Sequence, residues 1–144
     1  MLQIDFYILH TPVRQERDRL ACQLVDKAWH QGYRVYIQTD SLIQAQQLDD
    51  RLWTFKDISF LPHDIYPDVL SSTAPIRIGY TEQLCEGMAV LINLTATVPP
   101  FFAQVKRIAE IVDDTPMARE AGRKRYRYYQ SMVDKVLKVH EIHR

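Results

Sequence analysis

The chain has 144 residues, 47% hydrophobic, 25% charged and 10% aromatic, a composition that excludes disorder for most of its length. Eighteen basic and eighteen acidic residues cancel, which excludes bulk attraction to nucleic acid or membrane but not a local patch. Two cysteines, Cys22 and Cys85, are too few for a disulfide framework, and the apolar stretch "AVLINL" is far short of a spanning helix.

The opening "MLQIDFYILH" has no cation ahead of its apolar run, so it does not read as a secretory signal. The expectation is a cytoplasmic protein with one α/β domain over residues 1–144. Residues 3–9, "QIDFYIL", form a β-branched and aromatic run suited to a strand. A helical pattern follows over 13–31, where Leu20, Ala21, Leu24, Val25, Ala28 and Trp29 make one apolar face. Gly32 stands at the C-terminal cap, and "RVYIQ" at 34–38 reads as a second strand, parallel to the first. Leu42, Ala45, Leu48 and Leu52 space another amphipathic helix, and "ISFL" at 58–61 reads as a third strand stopped by Pro62.

Residues 62–75, "PHDIYPDVLSSTAP", carry three prolines among serines and aspartates and read as a loop. Short strands fit "IRIG" and "AVLINLT" (89–95), with a weak helix between them. A short helix over 101–105 and an edge strand near 108–112 follow. In "DDTP", Asp114 or Thr115 can cap a helix and Pro116 suits its first turn. The final helix is expected from about 116 to near 140. Alternating strands and helices predict three layers, a mainly parallel sheet flanked by helices.

At about 100° per residue, Arg119, Arg123, Tyr126, Arg127 and Gln130 share one arc of the last helix. Met117, Ala121, Tyr128, Met132 and Val139 fall opposite, with Ala118, Tyr129 and Val136 beside them, and read as the core face. A cationic stripe is ordinarily a solvated face. Here every cation of the stripe is arginine, whose planar fork suits carboxylates and phosphates, and a tyrosine offers an apolar wall. That pattern fits a ligand with acidic groups beside a hydrophobic one. Arg125 falls within the apolar face, where it either snorkels or pairs with a carboxylate.

Enzyme chemistry finds no constellation to rest on. The four glycines, Gly32, Gly79, Gly87 and Gly122, form no phosphate-binding frame, and no nucleophile elbow exists. Cys22 lies on the apolar side of its helix and reads as packing. His63 beside Asp64 reads as a strand end rather than an acid/base pair. His140 and His143 could hold a metal from one helix face, but lack a further Cys or His in ligand spacing. Asp113 and Asp114 read as helix capping. No cofactor and no metal is expected.

Read together, "FYIL", "AWHQGYRVYIQTD", "LDDRLWTF", "SFLPHD", "AVLINLT" and "AREAGRKRYRYY" resemble the chi subunit of bacterial DNA polymerase III, collinearly over nearly the whole chain. The resemblance implies a Rossmann-like fold without the phosphate-binding loop and a non-enzymatic adaptor of the clamp loader. It implies two partners, the psi subunit and the acidic C-terminal tail of single-stranded DNA-binding protein, with DNA and loader contacted indirectly and no membrane involved. The tail-binding positions carry over to Arg119, Arg123, Tyr126 and Arg127, with Val112 lining the pocket. The psi-contacting positions carry over to Trp53 and Phe60, each of which also reads as core. Arginine stands at 119 and 127 where the family can carry lysine, and Lys124 and Arg125 are unaccounted for. A direct single-stranded nucleic-acid binder, using the same arginines on phosphates and tyrosines on bases, is the competing reading.

Overall fold

A computed structural model of the chain describes residues 1–55, 62–67, 73–84 and 86–143. In chain order the elements are β1 (Leu2–Leu9), α1 (Arg14–His30), β2 (Val35–Gln38), α2 (Leu42–Thr54) and β3 (His63–Tyr66). Then come β4 (Ile76–Gly79), β5 (Val90–Asn93), a 3-10 turn at Phe102–Gln104, β6 (Arg107–Val112), α3 (Pro116–Gln130) and β7 (Lys135–Ile142). The strands form one seven-stranded sheet in the order β3-β4-β2-β5-β6-β1-β7, and every pairing is parallel.

Side-chain alternation along each strand divides the core into two layers. Leu9, Val35, Ile37, Ile76, Ile78, Ile92 and Ile111 meet Leu20, Ala21, Val25, Leu48 and Leu52 of α1 and α2. On the other face, Ile4, Phe6, Tyr36, Leu91, Ile108 and Val112 meet Tyr129 of α3 and Phe101 beside the 3-10 turn. Sheet and helices therefore form three layers.

The helix ends follow their cap residues. Gly32 takes φ 87°, donates its N–H to Trp29 O at 2.9 Å, and lets the Tyr33 N–H reach Ala28 O at 3.0 Å. This pair of bonds satisfies the last carbonyls of α1 and needs a residue tolerant of positive φ. Ser41 Oγ accepts from the Gln44 N–H at 3.2 Å at the start of α2. Of the two candidate caps for α3, Thr115 serves, its Oγ1 accepting from the Ala118 N–H at 3.1 Å.

Several expectations are corrected. Residues 62–75 are not loop throughout, because His63–Tyr66 pairs in parallel with β4 between its bracketing prolines. The expected strand at 58–61 lies outside the described residues. Between β4 and β5 the described residues turn rather than form a helix. The strand at Arg107–Val112 is not an edge, since β5 and β1 flank it. The final helix does not reach 140. It stops at Gln130, the chain reverses through Asp134 at φ 55°, and Lys135–Ile142 runs alongside β1. The segment "KVLKVHEI" carries the β-branched Val136, Val139 and Ile142, and pairing with β1 prevails over helical continuation.

Candidate functional site

A buried polar cluster fixes the position of α3. Glu110 of β6 is fully buried and accepts hydrogen bonds from Arg125 Nε at 2.9 Å, Tyr129 Oη at 2.7 Å and Asn93 Nδ2 at 3.0 Å. Arg125 also donates to Ala96 O at 3.1 Å. Burial raises the Glu110 pKa, opposed by the Arg125 charge and by the three donors. Tyr129 is likewise pushed up, by burial first and then by the Glu110 carboxylate. The cluster explains why a charged residue occupies the helix's inner face: the carboxylate that Arg125 required is Glu110.

This anchoring turns α3 relative to the expected core face. The inward line is Ala118, Gly122, Arg125 and Tyr129, rotated by about 80° from the all-apolar arc. Met117 and Tyr128, read as core, are 84% and 50% exposed. An ion pair with full partners can define the inner face as firmly as leucines do, and no apolar periodicity announces it.

The rotation opens a cleft of about 190 Å³ between α3 and the β6-β1-β7 side of the sheet. Its floor is apolar: Phe6 and Ile8 of β1, Val112 of β6 and Val139 of β7. Gly122 lets helix and sheet approach closely, since a Cβ there would lie 3.0 Å from a Val112 methyl. Along the rim stand Arg119, Arg123 and Tyr126, with Glu141 on the β7 side.

Arg119, Arg123, Tyr126 and Val112, named from sequence, all line this cleft, and Arg127 does not. The Tyr126 ring meets Phe6 edge-on, centroids 5.4 Å apart. Arg119 is half-buried, its Nη2 donating to Leu9 O at 2.6 Å and lying 3.3 Å from Asp114 Oδ1. Its buried Nε has no partner among the described residues. Arg123 is exposed, and among the described residues its ion-pair partner is the exposed Glu120 carboxylate at 3.4 Å. Arg127 is exposed one turn further on. Val139 and Glu141 were missed because their segment read as a continuation of the helix.

Trp53 lies elsewhere. It is 51% exposed on α2, its ring centroid 4.2 Å from that of buried His63. Helix α2 packs over β3 and β4, so Trp53 and the cleft occupy opposite faces and opposite halves of the sheet. Phe60 lies outside the described residues.

The groups weighed for catalysis do not assemble. Cys22 is buried, and burial pushes its thiol up to about 12. His63 faces Asp49 at 3.5 Å, whereas the adjacent Asp64 pairs with Arg77 at 2.6 Å across the sheet. Asp113 is pushed up by burial and held down by the nearby Arg17 charge. His140 lies on β7 and His143 one residue past its end, an odd spacing that in extended chain directs them to opposite faces. Among the described residues, no helix is long and apolar enough to cross a membrane.

A family model described as "DNA polymerase III chi subunit, HolC" matches residues 1–133. A DNA polymerase III subunit chi from Pseudomonas aeruginosa is 35% identical over 130 residues, 90% of either chain. One from Haemophilus influenzae is 28% identical, covering 85% of this chain and 86% of that one. One from Escherichia coli is 25% identical, covering 90% and 92%. Among solved structures, a variant Saccharomyces cerevisiae Dbp5 C-terminal domain, bound to Gle1 and IP6, superposes with a TM-score of 0.64. It is 9% identical, spans 94% of this chain and 90% of that one, and speaks for the fold alone.

Proposed function

Since this chain belongs to the DNA polymerase III chi subunit family, and so to the accessory proteins of a replicative polymerase, we propose that its cleft holds the acidic C-terminal tail of single-stranded DNA-binding protein. In the same reading the Trp53 surface holds the psi subunit, which links the chain to the clamp loader. The protein then works in the cytoplasm as one adaptor domain, with no catalysis and no cofactor of its own.

One observation carries the proposal: an apolar floor of Phe6, Ile8, Val112 and Val139 lies directly under the guanidinium rim of α3. A chain end with an apolar last residue and a free carboxylate matches both parts. Arg119, already bonded to Leu9 O, shapes the rim, while Arg123 and Arg127 are the exposed cations that meet the tail's acids.

The magnitudes give weak binding. Burying a phenylalanine-sized side chain contributes roughly 1.5–3 kcal/mol. Each charged hydrogen bond adds about 1.5–3 kcal/mol before screening and tail ordering remove much of it. The net is on the order of micromolar affinity that falls with salt. Several tails on one DNA-coating assembly supply avidity.

The test is titration of the chain with an aspartate-rich peptide ending in phenylalanine, free or amidated at its C-terminus. Binding that needs the free carboxylate supports the reading. Equal binding of both peptides, or binding of single-stranded DNA by the chain alone in preference to the peptide, contradicts it.

A further inference from the structure

We propose that His10, Glu141 and His143 form a binding site for a divalent transition-metal ion of the zinc class at the rim of the sheet. The parallel pairing of β1 with β7 continues past Leu9 through the His10 N–H to Ile142 O bond at 3.2 Å. Residues two apart on a strand share a face, so Glu141 and His143 project to one side. His10 follows Ile8, the β1 partner of Glu141, on that same face. Two distant parts of the chain are thereby brought to one point.

The donor atoms are already close. One ring nitrogen of each histidine and one oxygen of Glu141 lie within 4.8 Å of one another. His10 Nε2 is in hydrogen-bond contact with Glu141 Oε2, and the two imidazole rings stack with centroids 4.3 Å apart and planes 9° apart. Tetrahedral zinc with bonds of about 2.1 Å places its ligands about 3.4 Å apart. All three side chains are exposed, so small rotations close the remaining gap without disturbing the core.

The chemistry selects the ion. Two imidazole nitrogens and one carboxylate suit Zn²⁺, and by the usual affinity order Ni²⁺ and Cu²⁺ also. Magnesium and calcium demand shells of oxygen. Three protein ligands leave a fourth position open. Glu141 also lines the cleft, and among the described lining residues it is the one carboxylate. A bound ion neutralises that carboxylate and adds positive charge at the cleft's β7 side. The site stands whether or not a peptide occupies the cleft.

Calorimetric titration of the metal-free full chain with zinc chloride tests this, alongside the visible spectrum after adding Co²⁺. The expected result is one ion per chain, with the intense visible bands of four-coordinate cobalt. His10→Gln, Glu141→Gln and His143→Gln each weaken binding by at least about tenfold. His30→Gln and His140→Gln leave it unchanged, and circular dichroism of every variant matches the parent. Absence of one-to-one binding by the parent chain overturns the proposal, as does undiminished affinity in the His10 and His143 variants.

Discussion

Glu110 and Arg125 meet at 2.9 Å in the interior, each with almost no exposed surface, and this pair locks α3 onto β6. It also sets which side of α3 faces outward. With Arg125 turned in, Arg119 and Tyr126 come to the margin of the sheet, and Arg123 and Arg127 stand in solvent. The cationic rim is thus a consequence of one internal ion pair.

Breaking that pair from one side strands the other charge. Glu110→Leu and Arg125→Met are each expected to destabilise the domain by about 3–5 kcal/mol. The Glu110→Leu/Arg125→Met double variant should lose less than the sum of its single substitutions, because neither ion remains uncompensated. Equilibrium urea unfolding of the four proteins measures it. Additive losses would mean the two side chains act separately.

Trp53→Glu should leave stability within about 1 kcal/mol, because half of the indole is exposed. It should abolish capture of the psi subunit in a pull-down and leave acidic-peptide binding intact. Loss of both activities together would contradict two sites on opposite faces.

Cys22 carries a pH signature. Its folded value near 12 exceeds the usual 9.0, so the buried thiol favours the folded state while protonated. That contribution is complete below about pH 9 and is lost as pH rises toward about 12. Iodoacetamide at pH 8 should leave Cys22 unmodified in the native protein and alkylate it in urea, as read by peptide mass mapping. The alkaline loss of stability should be shallower in Cys22→Ala.

Much of this architecture was legible in the sequence for identifiable reasons. Gly32 after Trp29 and Thr115–Pro116 before α3 are local signals, and each marked its helix boundary. Buried parallel strands such as "VYIQ" and "VLIN" are nearly uniformly apolar and stand out between helices. The C-terminal strand was hidden because "KVLKVHEI" directly follows a strong helix, and its pairing with β1 lies over 130 residues away in the chain. That same non-local pairing concealed Val139, Glu141 and the meeting of His10 with His143. Arg119, Arg123 and Tyr126 of the cleft were found because a helix stripe is a local pattern, and Val112 of β6 came through the family resemblance. The partner of Arg125 was not, because Glu110 lies on a strand whose neighbours only the fold defines.

The most direct measurement is isothermal titration of an aspartate-rich, phenylalanine-terminated peptide into the parent chain and into Arg123→Ala/Arg127→Ala. Both arginines are exposed, so the variant should melt within a few degrees of the parent. The account predicts micromolar, salt-sensitive binding to the parent and at least about a tenfold loss in the variant. A folded variant that binds the peptide as tightly as the parent would contradict it.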